Sequence, residues 1–125
     1  MILRAALFVL AMGAVGVHAA VADDLERTAR DAVATKHFRE AASVYSRLSE
    51  REPGNADYLV WIGRLLSWMQ DYPAAIDAYD RALARAPHDV AALVGKATVL
   101  MWQQKFSEAD CALREAEQLA PTSGV

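Results

Sequence analysis

The chain has 125 residues, 54% of them apolar and 23% charged, enough hydrocarbon for one packed domain or a short array and too much for a disordered or collagen-like chain. Lys and Arg number 13 against 16 Asp and Glu, for a net charge of -3, so there is no basic excess to neutralise a nucleic-acid backbone. The single cysteine excludes an internal disulfide framework and a cysteine-based zinc knuckle.

The first element is an address. Arg4 supplies a positive start, Ala5 to Val17 is uncharged and mostly apolar, and small residues follow at small-x-small spacing in Val17-His18-Ala19 and Ala20-Val21-Ala22. This pattern predicts a secretory signal peptide over residues 1–22, cleaved near Ala19 or Ala22. The run is short for a membrane span, which takes roughly 20 apolar residues, and no cysteine stands at the cleavage sites to carry a lipid. Retention as a signal anchor is the alternative. Cleavage places the mature chain, beginning near Asp23, in a bacterial periplasm or outside the cell.

The rest of the chain repeats itself. Pro53, Pro87 and Pro121 are spaced by 34 residues, as are Leu25, Leu59 and Leu93, then Phe38, Tyr72 and Phe106, then Ala41, Ala75 and Ala109. Within the second unit, Leu59, Ile62, Gly63 and Leu66 fall on one helical face. Tyr72, Ala75, Ile76, Tyr79, Ala82 and Leu83 form a second such set, and Pro87 stops it. No stretch alternates as a strand does. The expected helices are 24–35, 38–51, 56–70, 72–86, 90–103 and 106–119, an all-α chain. The units are 22–55, 56–89 and 90–123, within a domain over 23–121 followed by a tail at 122–125. One such unit cannot bury its apolar face alone, and three make one cooperative array.

Leu59, Ile62-Gly63, Leu66, Ala75, Tyr79, Ala82 and Pro87 together resemble the tetratricopeptide repeat. Leu93, Ala97, Leu100, Ala109, Leu113, Ala116 and Pro121 repeat the pattern, as do Leu25, Ala29, Ala32, Ala41, Tyr45, Leu48 and Pro53. Thr28 and Lys96 depart from it at a first-helix leucine; Lys96 must snorkel or find a carboxylate. The resemblance implies a right-handed α-solenoid of three helix-turn-helix units whose first helices line a concave groove.

The resemblance also implies which residues face that groove. In the first unit they are Asp23, Glu26, Arg30, Val33 and Ala34; in the second Asp57, Val60, Arg64, Ser67 and Trp68; in the third Ala91, Val94, Thr98, Met101 and Trp102. Trp68 and Trp102 share the repeat spacing, as do Arg30 and Arg64. Tryptophan offers flat apolar area and arginine a bidentate fork for carboxylates; the alternative is packing into neighbouring turns and ordinary surface ion pairs with Glu26 or Asp57. The best-known groove of this family clamps two carboxylates with Asn and Lys. Arg30 and Arg64 stand where it has Asn, so binding of chaperone tails is not expected. Leu65-Leu66-Ser67-Trp68 and Val99-Leu100-Met101-Trp102 are locally similar to repeats of bacterial envelope and exopolysaccharide-secretion proteins.

The partner-binding groove is therefore expected at Arg30, Val60, Arg64, Ser67, Trp68, Val94, Thr98, Met101 and Trp102, in an exported, non-enzymatic scaffold holding a peptide or helix of an envelope protein. A carbohydrate-binding accessory of exopolysaccharide secretion, using Trp68 and Trp102, is the alternative. No G-x-S-x-G, H-E-x-x-H or phosphate-binding loop is present. Neither a catalytic residue, a metal nor a cofactor is expected. His37 and His88 fall in turns, Cys111 is a lone thiol open to intermolecular pairing, and Trp61 is edge-exposed or packed. Asp23-Asp24 reads as an N-terminal helix charge pair. Asp110 and Glu117 stand where the preceding unit has Ile76 and Leu83, which points to a polar end face and an array ending near residue 121.

Overall fold

Each repeat folds as two helices because its apolar residues recur at helical spacing and its turn residues stop the helix at fixed places. The computed structural model describes the backbone of residues 2–119 and the side chains from residue 16 onward. Met1 and residues 120–125, with Pro121 and the expected tail, lie outside the described residues. The helices are α1 (Ile2–Ala34), α2 (Phe38–Arg51), α3 (Ala56–Trp68), α4 (Tyr72–Arg85), α5 (Val90–Trp102) and α6 (Phe106–Leu119), with no strand among the described residues.

The ends of α1, α3 and α5 are built alike. Lys36, Gln70 and Gln104, spaced by 34 residues, take left-handed φ values of 61°, 63° and 62°. In each turn this residue donates its N–H to the carbonyl two residues before the cap: Lys36 to Val33, Gln70 to Ser67, Gln104 to Met101. The next N–H reaches one residue further back, from His37 to Ala32, Asp71 to Leu66 and Lys105 to Leu100, at 2.8–2.9 Å. These paired bonds satisfy carbonyls that a helix end otherwise leaves open. They end α3 two residues and α5 one residue earlier than the apolar pattern suggests. At the starts, Asn55, Asp71 and Asp89 cap α3, α4 and α5 by accepting backbone N–H bonds.

The α1 helix corrects the expected start at residue 24. Nothing between Gly16 and Leu25 is a glycine or proline, so the helix runs through the segment without a break. Asp23 and Asp24 lie inside it, and so are not at a helix start. The leader expected over 1–22 is helical from Ile2, and Val17 and Val21 are exposed. No helix among the described residues is long and apolar enough to cross a membrane.

Each helix packs on the next in the chain, and α3 also packs on α5. Small residues set the spacing: Ala41, Ala75 and Ala109 are all buried. Tyr79 of α4 is the central wedge. Its ring lies between Gly63 of α3 and Gly95 of α5, where a β-carbon would come within 2.8 Å and 2.5 Å of ring atoms. Glycine stands at both sites because a methyl group would displace the ring. Trp61 stacks on Tyr45 with centroids 5.5 Å apart and an interplanar angle of 1°, so it is packed, with its ring half-buried. Lys96 finds its carboxylate, Asp80, at 2.7 Å across the α4–α5 junction.

Candidate functional site

The last turns of α3 and α5 end in tryptophan, and the packing of these helices brings both rings to one depression. It encloses about 280 Å³ and is lined from α3 by Arg64, Ser67 and Trp68 and from α5 by Val94, Thr98 and Trp102. Tyr79, Ala91, Gly95 and Val99 complete its lining. A second hollow of about 420 Å³ shares Ser67, Trp68 and Trp102 and adds Gln70 and Tyr72 from the turn that follows α3. Six of the nine residues expected from the sequence therefore meet in one place.

The other three do not. Val60 is 4% exposed and belongs to the core. Its helix opens the middle repeat and packs on α2, α4 and α5; the matching Val94 of the last repeat is exposed. Arg30 lies on α1 facing Glu26 at 3.9 Å, the arginine largely solvated and the glutamate half-buried, and it lines neither hollow. Met101 is exposed on α5 without lining either hollow. Ser67 lines the hollow but is buried, and its hydroxyl is committed to the Gly63 carbonyl at 2.7 Å. Thr98 likewise donates to the Val94 carbonyl at 2.8 Å.

The tryptophans are half held and half free. Trp68 packs on Phe38 of α2 with centroids 5.2 Å apart, and Trp102 packs on Tyr72 of α4 at 5.7 Å. Yet Trp68 remains 46% and Trp102 51% exposed. Part of each indole is held by the preceding unit and the rest stays exposed. Packing to the neighbouring turn and exposure to the groove are thus both true of the same ring. The sequence carried the signal for these aromatic clasps, because Phe38 and Tyr72 share the 34-residue spacing of the tryptophans. Tyr79 was readable only as part of a helical packing face.

Among the residues lining the 280 Å³ hollow, Arg64 is the one charged side chain. Its guanidinium lies 5.1 Å from the Trp61 ring centroid, which in turn stacks on Tyr45. Such a cation–aromatic contact contributes about 0.5–2 kcal/mol and holds the charge in place. Burial pushes the Tyr79 phenol above its ordinary range, so the hollow presents a neutral hydroxyl-bearing wall near Arg64. The site is chemically simple: two indoles, aliphatic carbon and one guanidinium. Among the described residues no group of three His, Cys, Asp or Glu gathers to hold a metal.

Two family models, both described as tetratricopeptide repeat, match residues 26–66 and 69–123. No curated protein sequence matches the chain. Among solved structures, the fold is similar to the complex of the yeast Sti1 TPR2B domain with pHsp70, at 20% identity, with 78% of each chain covered and a TM-score of 0.75. It is similar to the type III secretion translocator chaperone SycD of Yersinia enterocolitica, at 17% identity, covering 84% of this chain and 78% of that one, with a TM-score of 0.79. The same chaperone in complex with a peptide of the translocator YopD matches at 18% identity, covering 81% of this chain and 77% of that one, with a TM-score of 0.76. At these identities the likeness is one of fold.

Proposed function

From the premise that this chain is built of tetratricopeptide repeats, we propose that it is a non-enzymatic scaffold that binds a peptide or helix of a protein partner between Trp68 and Trp102. The observation that carries the reading is the state of those two rings. Each is clasped on one side by an aromatic residue of the preceding unit, and each keeps about half its surface exposed on one shared depression. A ring already fixed loses little freedom when a ligand covers it, so burial there stabilises a complex efficiently. Arg64, held over Trp61, orients a carboxylate or carbonyl of the bound segment. Peptide complexes of Sti1 and SycD, which share the fold, are consistent with this use of a helical array. The leader pattern over residues 1–22 supports a reading in which the partner belongs to a bacterial envelope.

The test is site-specific photo-crosslinking in cells. A crosslinking residue at Thr98, on the hollow, is expected to trap a discrete protein adduct, and one at Arg81, exposed on α4 and outside both hollows, is not. Equal adducts from both positions would contradict groove binding. Half-exposed indoles also suit the apolar face of a sugar ring, and this favours a carbohydrate-binding accessory as second reading. A change in tryptophan emission on titration with oligosaccharides, absent when the full chain carries Trp68→Ala and Trp102→Ala, would move the reading there.

A further inference from the structure

A depression larger than the one beside the tryptophans lies elsewhere on the described surface. It is a broad, shallow trough of about 880 Å³ at the α1–α2 turn and along the first half of α2. Its lining includes Lys36, Arg39 and Arg47, with Glu40 as the one carboxylate. None of the three cations has a carboxylate within ion-pair distance among the described residues, which is equally true of Arg51, Arg64, Arg81, Arg85 and Lys105; what sets the trough apart is that three such cations line one depression with a single carboxylate. This local positive excess runs against the net charge of -3 carried by the whole chain.

The arrangement has direction. Arg39, Ser43 and Arg47 follow one another at i, i+4 and i+8, along one face of α2. Two helical turns separate the arginines by about 12 Å along the axis. Lys36 stands at the N-terminal end, in the left-handed turn position. The first turn of α2 has no side-chain cap, because the His37 ring bonds Thr35 Oγ1 at 2.8 Å instead. Open backbone N–H groups therefore add donors beside Lys36 and Arg39. Half-buried Phe38 and Met69 supply hydrocarbon at the same end.

We propose that this trough is a second docking site, separate from the tryptophan groove, for an acidic peptide segment of a partner protein. An extended segment covers about 12 Å in three to four residues, so carboxylates at that spacing meet Arg39 and Arg47. An apolar side chain packs on Phe38 and Met69. Arginine is suited to this because its fork takes a carboxylate in two parallel bonds. Solvation makes the binding salt-dependent and contributes more to orientation and encounter rate than to affinity. The segment is defined by chemistry: several carboxylates with one aromatic or aliphatic residue among them.

The experiment uses the full chain and a blocked peptide, Glu-Asp-Phe-Glu-Asp-Glu, beside its amide counterpart Gln-Asn-Phe-Gln-Asn-Gln. Binding is read by fluorescence anisotropy and located by backbone NMR shifts. The acidic peptide is expected to bind at least tenfold more tightly than the amide one and to shift resonances at residues 36–47. Arg39→Gln/Arg47→Gln is expected to weaken it at least tenfold with an unchanged circular dichroism spectrum, as is Lys36→Gln/Arg47→Gln. Trp102→Ala, whose ring packs on Tyr72 and not on Phe38, should leave it unchanged. Equal affinity for the two peptides would overturn the proposal. So would shifts centred on residues 64–102, or displacement of the peptide by inorganic phosphate at equal concentration, which marks a simple anion site.

Discussion

Tyr58 ties two repeats together through one oxygen. Its hydroxyl donates to Glu26 Oε1 of α1 at 2.5 Å and lies 3.2 Å from Glu52 Oε2. Burial, the bond to Glu26 and the two carboxylate charges push its phenol above the ordinary range. Hydrogen bonds to charged groups contribute about 1.5–3 kcal/mol, less where the acceptor keeps some solvent. Tyr58→Phe is therefore expected to destabilise the chain by about 1–2 kcal/mol, read as a lower urea midpoint at neutral pH. Burial also raises the phenols of Tyr45 and Tyr79 above 10.0. A phenol raised in the folded chain keeps its proton where the unfolded chain has lost it. Stability from these groups is thus complete below about pH 10 and declines as pH rises beyond it. Urea unfolding followed across the alkaline range should show that decline, shallower in Tyr58→Phe; a flat profile would contradict the assignment.

Helix by helix, turn chemistry and close approach decide the geometry. Gln70 holds a left-handed conformation that costs a side-chain-bearing residue about 1 kcal/mol relative to glycine. Gln70→Gly is expected to raise stability by about 0.5–1 kcal/mol, visible as a higher melting temperature. At the junction of α4 with its neighbours the prediction has the opposite sign. Gly95→Ala gains helix propensity but drives a methyl group into the Tyr79 ring, and overpacking of this kind costs about 1–3 kcal/mol. Net destabilisation is expected, and it should shrink in a Tyr79→Leu background. A double-mutant cycle measures the coupling, and additive effects would contradict the wedge.

These elements were legible to different degrees. The 34-residue columns of proline, alanine and aromatic residues located all six helices, because each column marks a recurring packing or turn requirement. The ends of α3 and α5 read long because the left-handed residue there is glutamine, which carries no turn signal. The unbroken α1 was not legible, since residues 17–24 hold neither a breaker nor a periodic apolar face. At the site, Trp68 and Trp102 share the repeat spacing and the hollow, whereas the spacing of Arg64 pairs it with Arg30, which lines neither hollow. Val60 was misplaced because its burial depends on both flanking units, which a single helical face does not reveal. The trough at Lys36, Arg39 and Arg47 went unread because its members span a turn and a helix.

For the whole molecule, contacts run only between sequential helices and from α3 to α5, so stability propagates unit by unit. The aromatic column shows the same logic. Phe38 and Tyr72 each receive a tryptophan from the following unit. Phe106, third in the column, is 64% exposed and has no tryptophan over it among the described residues. Asp110 and Glu117 are also exposed on α6, with Asp110 held by Arg114 at 3.0 Å. Cys111 is exposed nearby. The two tryptophan clasps thus link each unit to the next and, at the same time, leave about half of each ring exposed along the array.

That double role is most directly tested by comparing partner retention from cell-envelope extract by the full chain and by its Trp68→Ala/Trp102→Ala variant, with melting curves of both. Each substitution removes a half-exposed ring, so some loss of stability is expected while the helical spectrum is kept. The account predicts that the parent chain retains a specific protein and that the folded variant loses it. Equal retention by a folded variant would contradict groove binding and leave the tryptophans a purely structural role.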